Sequence, residues 1–319
     1  MKFQFYQFFT APAVLIAMSY SLNAETIFGM TTAGSGSLLP GIGLVSFDSA
    51  SPGTISSVAN FSGLVAGHGL RSIDFRPSTG ELYAVSNNGA AAQIYTVNLA
   101  TAALTSIGSG FTLTGNAVNR IEIDFNPVTD WIRIITGATR ASSLENNFFV
   151  DPASGALSTA ANLFYASGDA QSAATNFSII GAAHSNNFAG ATTTTLYAWE
   201  YDTDSLNTIG GIGGSPSPDT GEMTTVNRPN SPLTSNAGLG MDISGASGIL
   251  YASHDSPSST EVMGLYTRDL TSGVDTLIGT YGSGIFISDI SVLPIPEPSS
   301  ALLGGLAACI LAARRRRDG

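Results

Sequence analysis

The sequence predicts an all-β protein folded as a β-propeller of about five four-stranded blades, with six blades as the alternative. Three observations support this prediction. A strand–turn–strand unit at residues 73–83 returns in weaker form at 123–132 and 241–251, apolar and polar residues alternate in short runs, and turn residues separate those runs. Because a recurring unit cannot bury its apolar face alone, we expect the copies to stack on one another.

The first 24 residues have the features of a secretory signal peptide. Lys2 precedes an apolar stretch at 8–18, and the small residue Ala24 indicates cleavage between Ala24 and Glu25. An uncleaved anchor is the alternative, although the apolar stretch is short for a bilayer. We therefore expect the Sec translocon and signal peptidase as partners, and export of the body that follows.

The body spans residues 25–293 and divides into steps of about 50 residues, each with two hairpins that make one blade. Blades are predicted at 70–109, 120–160, 177–226 and 239–280. The fifth combines 285–293 with 26–32 and 41–61, so that the two ends of the body pair and close the ring. The copy at 177–226 matches least, since it carries a polar insertion at 185–195 and a loop at 210–219.

Turn chemistry also repeats. In the hairpins a short acceptor is followed by a glycine suited to a positive φ, at Gly80, Gly155 and Gly273. Asp74, Asp124 and Asp242 hold equivalent positions in the unit. One interpretation is that each carboxylate accepts backbone N–H groups in its own turn, a structural device that recurs with each blade; the other is that the three ring a channel and bind a cation.

Composition limits the function classes. Charged residues are only 11% of the 319 residues, and the body holds no lysine and seven arginines against 21 acidic residues, a net charge near −14. A body this acidic argues against nucleic-acid binding, which depends on Lys and Arg at phosphates. The one cysteine, Cys309, lies in the tail, which excludes disulfides and thiolate zinc sites from the body.

The tail, residues 294–319, contains a Pro-Glu-Pro triplet, an apolar segment at 299–313 and four consecutive arginines. This order resembles the PEP-CTERM sorting signal of Gram-negative bacteria. The resemblance implies transient anchoring in the inner membrane, recognition by an exosortase, cleavage near the triplet, and release or attachment at the surface of cells that make exopolysaccharide and biofilm matrix. An ordinary C-terminal anchor is the alternative. The residues that carry the signal are Pro296, Glu297, Pro298, Arg314, Arg315, Arg316 and Arg317.

The body resembles an uncharacterised bacterial domain family of unknown function. The similarity lies at 73–83, 94–97, 124–133 and 194–197 and runs over most of the body. The chain departs from the family pattern at His184, where tyrosine is expected, and at Trp131, where arginine is expected. The resemblance supports the fold and leaves the activity open.

Candidate sites other than the aspartates are weaker. The three histidines fall in three predicted blades, where they pack in turns or core or else converge on a metal. An Asp-x-Asp at 202–204 with the acids of 219–222 is a candidate Ca²⁺ site, although no EF-hand loop surrounds it. Aromatic residues on strands stack on sugars or pack in the core. These residues are His68, His184 and His254, Asp202, Asp204, Asp219 and Glu222, and Trp131, Trp199, Tyr197 and Tyr201.

Three functions follow from these features. The leading hypothesis is an exported, non-enzymatic propeller that acts as a structural or carbohydrate-binding component of the cell surface or matrix, with exopolysaccharide as a partner and no evident cofactor. The second is a propeller glycosidase, lyase or lactonase, for which two or three carboxylates and a histidine should converge. No Gly-x-Ser-x-Gly nucleophile motif is present. The third is a scaffold stabilised by a bound cation.

Overall fold

The computed structural model describes residues 24–34, 40–114, 120–137, 145–174, 178–228, 240–256, 259–282 and 284–294. The predicted signal peptide up to residue 23 and the sorting tail from residue 295 lie outside the described residues. Within those ranges, no helix combines the length and the apolar character that crossing a bilayer requires.

The described strands form five sheets, which confirms the five-bladed ring and the all-β class. Blade 1 contains β1 (Thr26–Thr32), β2 (Gly43–Asp48), β3 (Ser56–Asn60) and β21 (Phe286–Val292). Blade 2 contains β4 (Gly69–Phe75), β5 (Leu82–Asn88), β6 (Ala91–Val97) and β7 (Leu104–Thr112). Blade 3 contains β8 (Arg120–Asn126), β9 (Trp131–Gly137), β10 (Asn146–Val150) and β11 (Leu157–Thr159).

Blade 4 contains β12 (Phe164–Tyr165), β13 (Ile179–His184), β14 (Leu196–Glu200), β15 (Ser205–Ile209) and β16 (Glu222–Asn227). Blade 5 contains β17 (Gly240–Ile243), β18 (Leu250–Ser256), β19 (Ser259–Arg268) and β20 (Asp275–Thr280). Blade 4 therefore has five strands rather than the predicted four, because β12 adds to its outer edge in parallel with β16. Two short 3-10 turns, Ile212–Gly214 and Pro218–Thr220, lie in its β15–β16 loop.

Apolar side chains fill the spaces between neighbouring blades. Five clusters of buried residues are present, one for each pair of adjacent blades. The ring of Tyr83 in blade 2 meets that of Phe125 in blade 3 edge to face at 5.0 Å, and Phe28 meets Phe75 across blades 1 and 2 at 5.5 Å. Each fully buried phenylalanine contributes about 2–3 kcal/mol of hydrophobic stabilisation, so the period-two pattern holds the blades together.

Blade 1 closes the ring from both ends of the body, as the sequence predicts. Its innermost strand, β21, pairs antiparallel with β1, with Ile27 opposite Val292. The register continues beyond the strands, since the Leu293 amide donates to the Thr26 carbonyl at 2.9 Å. The two ends of the body therefore leave the ring side by side.

The three hairpin glycines have the positive φ that the turn pattern predicts, at Gly80 (73°), Gly155 (74°) and Gly273 (69°). In blade 3 the position equivalent to Gly80 is Asp130, at φ 61°. Aspartate tolerates this left-handed conformation better than most residues. Its carboxylate also bridges to blade 2, where the Arg76 guanidinium donates to it at 2.9 and 2.5 Å.

Candidate functional site

The polar centre of the molecule is the axis where the five innermost strands meet, namely β21, β4, β8, β13 and β17. One position on these strands is equivalent in every blade, and it lies opposite the second or third residue of the adjoining strand. Three of the five blades have aspartate there, and all five residues are at most 2% exposed. The five residues are Ser291 in blade 1, Asp74 in blade 2, Asp124 in blade 3, Ala183 in blade 4 and Asp242 in blade 5.

The three aspartates converge. One carboxylate oxygen from each of Asp74, Asp124 and Asp242 lies within 4.8 Å of the other two. The Ser291 hydroxyl donates toward Asp74 Oδ1 at 2.8 Å and lies 3.2 Å from Asp242 Oδ2, so it bridges two of them. We call Asp74, Asp124 and Asp242 the axial acid cluster.

Each axial carboxylate accepts a backbone N–H from the next blade. The Phe125 amide donates to Asp74 at 2.7 Å and the Val292 amide donates to Asp242 at 2.7 Å. Asp124 likewise accepts the amide of His184 at 2.8 Å. An innermost strand has one edge without a partner strand, so its amides on that side need acceptors, and the aspartates supply them.

This arrangement corrects the expectation that the axial aspartates cap their own turns. They lie inside strands, from which their side chains reach the neighbouring blade. Other carboxylates do cap their own turns, among them Asp151, which accepts the Ala153 amide at 2.8 Å, and Asp269, which accepts the Thr271 amide at 3.0 Å. The repeat therefore contains two kinds of acid with different partners.

The electrostatics of the axis follow from burial without a basic partner. Burial, and then the charge of Asp242, raises the pKa of Asp74 well above its usual range. Burial, followed by Asp74 and Asp242, does the same for Asp124, and burial raises the pKa of Asp242 to about 6. Among the described residues, no arginine forms an ion pair with any of the three. Three buried acids thus share a small volume without a neighbouring cationic side chain.

His184 is the one histidine at the axis. Its Nδ1 lies within hydrogen-bond distance of Asp124 Oδ1. Burial, and secondarily the charge of Arg133, lowers the pKa of His184 well below its usual value, so the ring is neutral. Its Nε2 is buried and has no hydrogen-bond partner among the described residues.

The other two histidines lie elsewhere, so the three do not converge on a metal, which was the alternative to packing in turns or core. His68 contacts the Ser86 hydroxyl in blade 2 at 3.0 Å. His254 in blade 5 binds Asp275 through Nε2 at 3.0 Å and stacks on Tyr266 with ring centroids 3.9 Å apart. Both satisfy structural roles within their own blades.

A second polar region is a cleft of about 170 Å³ between blades 3 and 4. Trp131 and Phe149 form its aromatic wall, with ring centroids 5.4 Å apart at an interplanar angle of 71°. The Arg133 guanidinium lies 5.5 Å from the centroid of the Phe149 ring and donates to Asp219 at 2.5 Å. We call this region the Trp131 cleft; its lining residues are Asn126, Thr129, Trp131, Arg133, Phe149, Ser217 and Asp219.

The remaining candidate aromatic residues pack in the protein. Trp199 is 1% exposed and lies under the Arg268 guanidinium, which is 3.5 Å from the centre of its ring. Tyr197 and Tyr201 are partly buried against the apolar cluster between blades 4 and 5. Of the four residues proposed for sugar stacking, Trp131 lines a cleft.

The predicted Ca²⁺ site does not assemble. Asp202 and Asp204 lie in the turn before β15, whereas Asp219 and Glu222 follow the loop at the other end of that strand. Asp219 instead forms the ion pair with Arg133. The acids that do converge, among the residues described, are the axial ones.

Sequence reasoning missed several residues of both regions. Asn187 lies in the predicted insertion of blade 4, and its side-chain amide donates to Asp242 at 3.3 Å. Arg133, Phe149 and Ser217 complete the Trp131 cleft. The alternation in blade 3 puts Trp131 and Arg133 on one face of β9, which is the signal that was available. Nothing in the local sequence of Asn187 or Ser217 indicates a neighbour in another blade.

A family model described as "Domain of unknown function (DUF4394)" matches residues 43–291. The chain belongs to this family. The DUF4394 match begins at the first residue of β2 and ends within β21, so it covers every blade and both polar regions. It confirms the resemblance of the body to an uncharacterised bacterial family. No curated protein matches the chain by sequence.

Solved structures similar to the DUF4394 chain are distant. A GH43_1 enzyme from Xanthomonas citri aligns with TM-score 0.48 and 12% identity, over 82% of this chain and 89% of that one. A candidate 6-phosphogluconolactonase from Bacteroides uniformis aligns with TM-score 0.42 and 13% identity, over 81% and 82%. TolB from Acinetobacter baumannii aligns with TM-score 0.42 and 12% identity, over 79% and 52%. Similarity at this level carries no information about the activity of this chain.

Proposed function

We propose that this protein is an exported β-propeller of the cell surface or extracellular matrix that binds a neutral polysaccharide in the Trp131 cleft. The observation that carries the proposal is the composition of that cleft. An aromatic wall stands beside a guanidinium, a carboxylate and small polar side chains, and all of them lie at an opening between two blades.

The cleft has the chemistry that sugar rings require. The face of Trp131 or Phe149 offers an apolar platform for the C–H face of a pyranose, and both side chains are only partly buried. Asp219 accepts and Arg133 donates hydrogen bonds, so neighbouring hydroxyls of one sugar can donate to the carboxylate and accept from the guanidinium. The volume of about 170 Å³ holds about six water molecules at about 30 Å³ each, which suits one sugar ring better than a large cofactor.

The charge of the protein favours a neutral ligand. The body is strongly acidic, and Arg133 is already paired with Asp219. An anionic polysaccharide would be repelled by the field of the whole body, whereas a neutral one is unaffected. We therefore expect salt-independent binding.

Affinity electrophoresis tests the proposal. The full chain, purified in nonionic detergent, is run through gels that contain the polysaccharide of its own bacterium, a neutral glucan, xylan or mannan, or acidic alginate. We expect retardation in a neutral polysaccharide and none in alginate. Trp131→Ala should weaken binding about fivefold, because a ring contact is worth about 1 kcal/mol and a tenfold change corresponds to about 1.4 kcal/mol.

The matched control is Phe164→Ala, which removes an exposed aromatic ring on blade 4 outside the cleft. This variant should be retarded as strongly as the parent. Equal mobility of the parent in all gels would refute sugar binding, and equal weakening by both variants would locate the site away from Trp131.

Export and sorting form the second part of the proposal. The two terminal segments flank adjacent ends of blade 1, so their removal leaves the ring intact. Glu25, the first residue after the predicted cleavage, is buried, and its carboxylate accepts the Tyr251 hydroxyl of blade 5 at 2.8 Å. Mass spectrometry of the surface fraction should find a chain that begins at Glu25 and ends near Pro298; in cells without exosortase the tail should remain attached. Recovery of the intact chain from the cytosol would contradict export.

The enzyme alternative has one observation in its favour, the convergence of three carboxylates and His184 at the axis. Burial weighs against it, since none of these groups is more than 2% exposed. Each aspartate is also occupied by an amide of the next blade. A glycosidase needs its two carboxyl groups on either side of a bound sugar, which requires an open cleft between them.

A further inference from the structure

We propose that the axial acid cluster, together with Asn187, binds one Ca²⁺ ion that ties blades 2, 3, 4 and 5 together. The site is independent of the Trp131 cleft and of sugar binding.

The first support is geometric. The three carboxylate oxygens lie within 4.8 Å of one another, and Ca²⁺ binds oxygen at about 2.3–2.6 Å. Two oxygens on opposite sides of one Ca²⁺ ion are therefore about 4.8 Å apart, so a single ion can contact all three. Mg²⁺ demands a near-ideal octahedron and gives up its water molecules reluctantly, so a site built from protein oxygens alone suits it less well.

The second support is an oxygen outside the acid cluster. Asn187 is 2% exposed, and its amide group contacts Asp242, so the end of the side chain faces the acids. Its Oδ1 is buried and has no hydrogen-bond partner among the described residues. A buried amide oxygen without a donor is rare and costly, and a cation beside it would satisfy it. Amide oxygens are ordinary Ca²⁺ ligands.

The third support is an acceptor on Asp124. Its Oδ1 accepts the backbone amide of His184 and lies within hydrogen-bond distance of the ring Nδ1, while its Oδ2 accepts no hydrogen bond from the described residues. A carboxylate that is 98% buried and uses one oxygen leaves the other for a ligand. Asp124 Oδ2, Asn187 Oδ1 and the oxygens of Asp74 and Asp242 are then the proposed ligand set.

The charge balance of the axis also favours a bound cation. Three buried carboxylates in contact, with no arginine paired to them, are costly unless protons or a cation neutralise them. The ligands are carboxylate and amide oxygens, which are the hard donors that Ca²⁺ prefers. The alternative occupants are protons, and the experiment below separates the two.

The test uses the full chain in nonionic detergent, treated with EDTA and then transferred to metal-free buffer. Calorimetric titration with CaCl2 should give one Ca²⁺ per chain, and the midpoint of thermal unfolding should rise with the logarithm of Ca²⁺ concentration. MgCl2 at the same concentration should give at least tenfold weaker binding.

Two ligand variants and one control complete the test. Asp242→Asn should weaken Ca²⁺ binding by at least about tenfold, because it removes a charged ligand. Asn187→Leu removes the unpartnered oxygen, leaves every carboxylate in place and should weaken binding less. The control, Asp151→Asn, changes an exposed carboxylate that caps its own turn, and should bind Ca²⁺ as the parent does.

The inference is overturned if the parent shows neither heat nor a shift of the unfolding midpoint with CaCl2, which would mean that protons occupy the axis. It is also overturned if Asp242→Asn and Asn187→Leu bind Ca²⁺ as tightly as Asp151→Asn. If Asp242→Asn fails to fold, Asn187→Leu alone decides.

Discussion

The axis and the Trp131 cleft are both rich in polar groups, but they are built in opposite ways. At the axis the same position of the repeat supplies an acid from three blades, and each carboxylate accepts an amide of the next blade. In the cleft, Trp131 and Arg133 are not repeated, since blade 2 has Glu81 and Tyr83 at the equivalent positions, and Asp219 is half exposed. A polar group that recurs in several blades stabilises the ring, whereas a polar group that occurs in one blade can bind a ligand.

The comparison also separates two consequences of substitution. Axial side chains hold buried backbone amides of another blade, so their loss should appear as lost stability. Cleft side chains face solvent on one side, so their loss should appear as lost binding. The following predictions test that division, from the largest expected effect to the smallest.

The largest effect is expected for Asp74→Ala. This change leaves the buried Phe125 amide without an acceptor and leaves the Ser291 hydroxyl with Asp242 Oδ2 alone, at 3.2 Å, which together should cost about 3 kcal/mol of unfolding free energy. Asp74→Asn keeps one acceptor and should lose about half as much. Urea unfolding of the full chain measures both. Asp151→Ala, at an exposed turn, should stay within about 1 kcal/mol of the parent; a similar loss there would remove the distinction between the two kinds of acid.

An intermediate effect is expected for Glu145, a buried acid outside both regions. Burial raises the pKa of its carboxyl to about 8 from an ordinary 4.5. The native state therefore keeps a proton that the unfolded state loses, and this stabilising contribution is fully present below pH 4.5 and disappears as the pH rises through 8. Glu145→Gln stays neutral, so it should exceed the parent in stability by about 2 kcal/mol at pH 8, because relaxation softens the cost of a buried charge.

Urea unfolding of Glu145→Gln and parent at pH 5, 6.5 and 8 checks this prediction. The difference between them should grow steadily with pH. A constant difference would mean that Glu145 is ionised in the native state at all three pH values. Burial alone would then not be enough to keep a carboxyl group of this protein protonated.

The smallest effect on stability is expected for Asp219→Asn in the cleft. Asp219 is half exposed although its partner Arg133 is buried, and asparagine keeps an acceptor for the guanidinium, so the unfolding free energy should fall by about 1 kcal/mol. Retardation in the neutral polysaccharide gel should nevertheless weaken several-fold, since a strong acceptor for sugar hydroxyls becomes a weaker one. A large loss of stability with unchanged retardation would assign Asp219 to the scaffold.

Much of the fold was predictable from the sequence because the blades of a propeller share one repeated sequence pattern. The alternation of apolar and polar residues in 73–83 and its copies predicts the strands, and the hairpin glycines predict the turns. The match between the two ends of the body predicts the closure of blade 1. The extra strand β12 was not predictable, since two residues carry no periodic pattern. The five-blade count could be derived because the 118 residues from Asp124 to Asp242 have room for two steps that are somewhat longer than the 50-residue step from Asp74 to Asp124.

The candidate sites were only partly predictable, for a physical reason. The repeat identifies Asp74, Asp124 and Asp242 as equivalent, and the ring then brings equivalent residues together at the axis. Their partners depend on the spacing between blades, which no local pattern specifies, so turn capping was the natural expectation. Asn187 was even harder to predict. It lies in an insertion that reads as a polar loop, yet its side-chain amide donates to Asp242 in the next blade.

The pairing of β21 with β1 has a consequence for the kinetics of folding. The strand that completes the sheet begun at residue 26 is the last of the body to be synthesised, about 260 residues later. Contacts between residues so distant in sequence form slowly, because the chain must close a very long loop first. During synthesis the ring should therefore stay open, with an unpaired strand edge, until the whole body has been made, and a chain that stops short of residue 286 should be degraded by proteases.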